Sequence, residues 1–378
     1  MVEIKGISRE LVNRLVERTV SLSQGRNAGC IALVNQEGII DRATEVVDGG
    51  ISGLPLRQLL GKIADINNRS ILEGLETLPD NSVLITTKPG KTGLVTDVSG
   101  VDFFNIPIVS IGVKDGTVAG AGVVYPKDKY FDLATESEQV DLETLAAVSM
   151  EDEKSVLRHG VDLTYHYLNI TYPLEVVDVL YKSIEDFTAQ NKWQLPRVKV
   201  NSIDHKLAKE LVDRSMEVGQ GREVGMVALV DDNGHVIPQG QVVVGGMGYI
   251  PSRLLASSAV DITGKSLREI YSRHVPDKAI IVHTHPGGTG VMHIGDASAG
   301  PGTWGRPIIA IGHDKDGNIR GATVIEVSDH LYALADEDER LGQEFFDAET
   351  PDKEADIRNR KFGIAQEYTG LCKPIELN

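Results

Sequence analysis

Apolar residues recur at helical spacing in two places along the chain. Leu11, Leu15 and Leu22 fall at i, i+4 and i+11, and Leu207, Leu211 and Val218 repeat the pattern further on. Each amphipathic helix is followed by an apolar run that reads as a strand, Cys30–Val34 and Met226–Val230. A turn comes next, with Gly38 in the first case and Asp232-Asn233-Gly234 in the second, a hairpin signal. A second strand, a helix (residues 71–76 and 267–274) and a buried strand (residues 83–85 and 279–282) complete each front half. The back half of the second copy carries a strand over 308–312, a turn at Lys315-Asp316-Gly317 and a closing strand over 321–327. These elements predict a mixed α/β sheet with helices packed against it.

The two patterns are copies. Ile7–Arg26 (ISRELVNRLVERTVSLSQGR) aligns without a gap on Ile203–Arg222 (IDHKLAKELVDRSMEVGQGR), at a constant offset of 203 − 7 = 196. NAGCIALV from Asn27 matches EVGMVALV from Glu223, and Gly49-Gly50 matches Gly245-Gly246. LITTKPGKTGLV from Leu84 matches IVHTHPGGTGVM from Ile281, and the segment from Ile106 matches the one from Arg306. Order is kept over more than a hundred residues, which marks an internal duplication. The expected organisation is a first repeat over 1–128, a helical linker over 129–199, a second repeat over 200–330 and a helical tail over 331–378. Within the linker, residues 141–157 and 174–187 read as helices and 136–153 is acid-rich, so it serves as a spacer or a dimerisation element. In the tail, residues 331–346 read as a helix.

Composition narrows the functional classes. The 378 residues are 41% hydrophobic and 25% charged, so each repeat can build a core. A formal charge of 38 − 55 = −17 disfavours nucleic acid as a partner. No apolar run approaches the roughly 20 residues that a membrane span needs. No basic and apolar leader opens the sequence. Two cysteines, Cys30 and Cys372, are too few for a disulfide framework, and the expected setting is cytoplasmic. Oligomeric state is open, a homo-oligomer included.

The chemistry concentrates in His283-Thr284-His285-Pro286 and Asp296. In a strand, residues i and i+2 share a face, so His283 and His285 present two imidazoles to one ion. A loop from His285 can bring the Asp296 carboxylate back over the strand end. Two imidazoles and one carboxylate leave the fourth position of a tetrahedral zinc to water, the layout of a catalytic site. Glu223, at the start of the first strand of the same repeat, is placed to take that water's proton. In the first repeat Asn27, Thr86 and Lys88 stand where the second has Glu223, His283 and His285. Asp97 lies near the aspartate's place without a histidine beside it. The first repeat is therefore expected to bind no metal, giving one Zn²⁺ per chain.

A glutamate opening the strand, then His-Thr-His-Pro, then an aspartate eleven residues past the second histidine resembles the JAMM/MPN+ metalloprotease family. The motifs cover residues 203–327, and residues 7–125 join only through the duplication. The resemblance implies two tandem MPN-like domains of cytidine-deaminase-like α/β fold, the first degenerate. It also implies a zinc-dependent peptidase or isopeptidase acting on conjugates of ubiquitin-like proteins, with His283, His285 and Asp296 on zinc and Glu223 as general acid/base. The family usually has a serine three residues before the aspartate, where this chain has His293. That imidazole can serve as an oxyanion donor, as a fourth ligand, or as a plain loop residue. Two other functions stay open: hydrolysis of a small amide at the same metal, and a non-catalytic scaffold that retains its metal. Trp304, His274 and His313 are read as packing residues, and Cys30 as inert.

Overall fold

The computed structural model describes residues 3–22, 24–51, 53–95, 97–167, 169–185 and 193–378. They form two mixed sheets flanked by helices. In the first sheet the strand order is Tyr172–Pro173, Thr117–Val124, Ile108–Lys114, Ser82–Pro89, Ala28–Val34, Ile39–Ala43, Gly6–Ser8 and Glu175–Val177. In the second it is Lys373–Pro374, Ile319–Ile325, Ile308–His313, Ala279–Pro286, Val224–Val230, His235–Pro238, Ser202–Ile203 and Glu376–Leu377. The two orders correspond strand for strand. Both are mixed: Ala279–Pro286 runs antiparallel to Val224–Val230 and parallel to Ile308–His313. The helices Arg9–Leu22 and His205–Val218 bury Leu11 and Leu15, and Leu207 and Leu211, as the spacing predicts. The helix over 267–274 begins as an α-turn, Leu267–Glu269, and widens into a π-turn, Ile270–His274.

The segments after each repeat differ from expectation. Residues 141–157 are not one helix: Asp128–Ala146 and Met150–Tyr167 are separate. Ser149 accepts the Asp152 N–H at 3.1 Å and starts the second as its N-cap. Residues 174–187 do not form the expected helix either. Glu175–Val177 and Lys182–Ser183 are strands, and Asp186 and Phe187 lie outside the described residues. The β-branched Val176 and Val177 favour the extended chain, which pairs in parallel with Gly6–Ser8. The tail keeps its expected helix, Asp329–Phe346, and adds a second, Pro351–Gly370, capped by Thr350. Each segment thus supplies two helices and then strands that finish its own sheet.

The repeats pack on each other by lending these helices. Glu138, in the helix after the first repeat, accepts the backbone N–H groups of Arg253 and Leu254 at 3.3 and 3.1 Å, at the N-terminus of the second repeat's Ser252–Ser257 helix. Glu339 does the same for Arg57 and Gln58, both at 3.0 Å. The Arg253 side chain, fully buried, pairs with Asp102 at 2.5 Å, while Arg57 pairs with Asp336 at 2.5 Å. Leu72 and Leu195 share one apolar cluster with Tyr271, Trp304, Leu331 and Tyr332.

Burial raises the Glu138 carboxyl to about 7, against the pull of its backbone N–H partners and Arg253. Burial also raises Asp102, to about 6, with Arg253 opposing. A carboxyl with a folded value above its unfolded one holds its proton longer in the native state. Its stability is therefore present at low pH and declines as pH rises through the window between the two values. For Glu138 that window runs from the ordinary glutamate value of 4.5 to about 7, worth at most about 3 kcal/mol. Melting of the metal-free protein is expected several degrees higher at about pH 5 than at about pH 8. Glu138→Gln keeps one of the two acceptor oxygens, removes the titrating proton and flattens the slope. Melting that rises over that range contradicts the assignment.

Candidate metal centre

The strand Ala279–Pro286 carries the two imidazoles. It runs beyond the expected end at residue 282 and takes His283 and His285 with it. His283 is opposite Gly225 on one side and Ala310 on the other, and His285 is opposite Gly312. His283 Nδ1 lies 2.8 Å from the Ile309 carbonyl, so it carries the proton and donates it there. That leaves Nε2 as a lone pair facing the cavity. Nε2 of His283 is 2.9 Å from Nε2 of His285 and 3.1 Å from Asp296 Oδ1, and His285 Nε2 is 3.4 Å from that same oxygen.

Three donors with no bulk between them fit one ion. Tetrahedral zinc with bonds of about 2.0–2.1 Å holds its ligands about 3.3 Å apart, close to the three separations here. The other oxygen of Asp296 accepts the His293 backbone N–H at 2.9 Å, which turns Oδ1 toward the imidazoles. Burial pushes the Asp296 carboxyl up, but hydrogen bonds and charge from His283 and His285, and the His293 N–H, hold it well below the usual carboxylate range. Burial lowers His285, yet Asp296 and Glu223 outweigh it, so the imidazole is raised.

Glu223 completes the group: its carboxylate and the nitrogens of His283 and His285 lie within 4.8 Å of one another. Its backbone is pinned by Gly246 O at 2.9 Å and Gly245 N at 2.8 Å. The buried Thr284 hydroxyl, between the histidines, accepts Val224 N–H at 3.1 Å and ties the strand carrying Glu223 to theirs. The Glu223 side chain is only 7% exposed and makes no hydrogen bond among the described residues. Burial raises its carboxyl, His283 and His285 lower it, and Asp296 raises it, for a net rise. A buried carboxylate with no partner costs free energy in the absence of a cation or a proton donor.

His293 stands apart from the converging donors. It is the residue before the short helix Ile294–Ala297, exposed, and lines the cavity wall. Its backbone N–H is what meets the Asp296 carboxylate. The cavity is about 740 Å³, with Leu255, Ile281 and Ile308 as apolar lining and Glu223, His283 and His285 at its polar side. Trp304 is 3% exposed, stacked on Tyr271 at 4.1 Å, and touches Phe103 of the first repeat at 5.5 Å. His313 is buried against Ser215 at 3.1 Å, as a packing residue is, whereas His274 is exposed and lies 3.6 Å from Glu269.

Two positions escaped attention in the sequence. Thr284 has a counterpart in Thr87, whose hydroxyl accepts Ala28 N–H at 2.9 Å. Gly312 has one in Gly112, opposite Lys88 as Gly312 is opposite His285. Identity across both repeats was the available signal. In the first repeat, Thr86 and Lys88 occupy the register of the two histidines, and the Asn27 amide, in the orientation its surroundings require, donates to the carbonyls of Gly50 and Gly53. Comparison with protein-family models, with curated proteins and with solved structures returned no match in any of the three.

Proposed function

We propose that the second repeat is a zinc-dependent amide hydrolase, a peptidase or isopeptidase of the JAMM/MPN+ type on an MPN-like fold. Its substrates would be proteins carrying a ubiquitin-like modifier, in a reducing cytoplasmic setting that suits the free thiols Cys30 and Cys372. The observation that carries the reading is the convergence of His283, His285 and Asp296 at 2.9–3.4 Å beside the unpartnered carboxylate of Glu223. His283, His285 and Asp296 would hold the metal. Zinc, when bound, supplies polarisation of the scissile carbonyl and acidifies the attacking water. Glu223 takes the proton of that water and returns it to the departing amine nitrogen. The His293 imidazole, on the cavity wall, donates to the developing oxyanion in place of the family serine. Leu255, Ile281 and Ile308 keep bulk water from the reacting bond.

Elemental analysis of the purified chain should give one zinc, lost in His285→Ala. Zinc-loaded protein should cleave isopeptide-linked conjugates. If it hydrolyses neither these nor any peptide amide, the assignment fails. His293→Ala is expected to lower kcat by about 10² without changing the zinc content, because Asp296 is held by the backbone N–H that alanine retains. A loss smaller than about three-fold removes the imidazole from the mechanism.

A further inference from the structure

The first repeat keeps a cavity of about 350 Å³ in the register of the metal centre, with its chemistry replaced. Thr86 is opposite Gly29 and Lys88 opposite Gly112, as His283 and His285 are opposite Gly225 and Gly312. The floor is apolar: Leu84, Val101, Phe104 and Ile108 are all under 9% exposed. The mouth carries Lys88 and Asp97. The half-buried Lys88 ammonium makes no hydrogen bond or ion pair among the described residues. The exposed Asp97 accepts the Ser99 N–H and hydroxyl on Oδ1 at 3.2 and 2.6 Å, which leaves Oδ2 without a partner among the described residues. A cation and an anion therefore line one cavity without neutralising each other.

A repeat kept only as scaffold has no use for such an arrangement. The half-buried unpaired Lys88 ammonium is costly, unlike the exposed Asp97 carboxylate, and empty space among apolar side chains forfeits packing. Both features are accounted for by a ligand that brings the complementary charges and an apolar group. The cavity sits at the small end of the roughly 300–1,000 Å³ typical of small-molecule sites. A metal-dependent ligand is disfavoured, since the two imidazoles and the carboxylate of the second repeat have no counterpart in Asn27, Thr86 and Lys88.

We propose that this cavity binds an apolar α-amino acid. The ligand carboxylate takes Lys88, its ammonium takes Asp97 Oδ2, and its side chain lies on Val101, Phe104 and Ile108. Two charge-assisted hydrogen-bond sets of opposite sign select the zwitterion over a simple acid or amine. The site is independent of zinc and of hydrolysis in the second repeat, so either reading can fail without the other.

The test is calorimetric titration of zinc-free full-length protein with L-leucine, 4-methylpentanoate, which lacks the ammonium, and 3-methylbutylamine, which lacks the carboxylate. Removing zinc prevents the second repeat from taking the carboxylate. Leucine should saturate with a dissociation constant of about 1 mM or below, and each analogue should bind at least about ten-fold more weakly. Lys88→Met and Asp97→Asn should each weaken leucine by about ten-fold or more, with melting temperatures near that of the unaltered protein, while Lys88→Arg retains binding. Absence of saturation, equal binding of either analogue, or unchanged binding by both charge-removing variants overturns the proposal.

Discussion

Glu223→Gln is expected to leave one zinc per chain and to lower turnover by about three orders of magnitude. The carboxylate is buried, raised by that burial, and free of side-chain hydrogen bonds among the described residues. Its backbone is fixed by Gly245 and Gly246, and the adjacent Val224 by Thr284. Glutamine matches the shape and keeps those main-chain contacts, so the cavity wall stays in place. What it loses is the ability to accept a proton, and positioned acid–base groups contribute about 10²–10⁴ in rate. Zinc content and kcat measured on the same preparation separate the two roles open to this residue. Retained metal with turnover within about ten-fold of the parent rules out Glu223 as the base. Lost metal makes it a ligand instead, which the tighter set of His283, His285 and Asp296 argues against.

The site was more legible in the sequence than the fold around it. Spacing alone puts His283 and His285 on one strand face, and their Nε2 atoms meet at 2.9 Å. The duplication sharpened the reading, because Thr86 and Lys88 fall in the matching register. What stayed hidden depends on contacts far apart in the chain. The Ile309 carbonyl that sets the His283 tautomer lies 26 residues away, and nothing in the composition of that strand marks it. The helix expected over 174–187 gives way at Glu175–Val177, where pairing with Gly6–Ser8 decides the backbone. The break after Ala146 turned on one hydroxyl, Ser149, against a run of good helix formers on both sides.

The lent helices explain why the second copies of these segments were hard to recognise. Glu138 and Glu339 perform the same capping on opposite repeats, and Arg253 and Arg57 receive it, 253 − 57 = 196 residues apart, the offset of the duplication. Their surroundings have diverged. Arg26 and the matching Arg222 each donate Nε to an equivalent carbonyl, Gly49 O at 2.9 Å and Gly245 O at 2.8 Å, but Arg26 also reaches Asp347 at 2.6 Å and Gln343 at 3.0 Å. The tail therefore braces the first repeat beside Asn27, whereas among the described residues Arg222 has no such partner.

Gly312→Ala should abolish zinc-dependent turnover, by about 10³ or more, and weaken zinc binding, whereas Gly112→Ala should spare both. A Cβ on Gly312 would lie 2.2 Å from Gly290 N, 2.3 Å from Thr289 C and 2.5 Å from Gly288 O. All three are backbone atoms, so no side chain can swing aside. Gly290 already holds φ at +80°, which further limits how the loop can give way. The displaced loop runs on to His293 and Asp296, and a ligand misplaced by about 1 Å costs roughly 10² in rate before the weakened metal is counted. In the first repeat a Cβ on Gly112 meets Lys91 O and Thr92 C at 2.3 Å, a clash of the same kind. Both variants should lose on the order of 1–3 kcal/mol of stability through overpacking. Equal melting losses with zinc content and activity lost in Gly312→Ala alone tie the loop to the metal centre. Full zinc occupancy and turnover in Gly312→Ala would show that the crossing of this loop over Gly312 does not position Asp296.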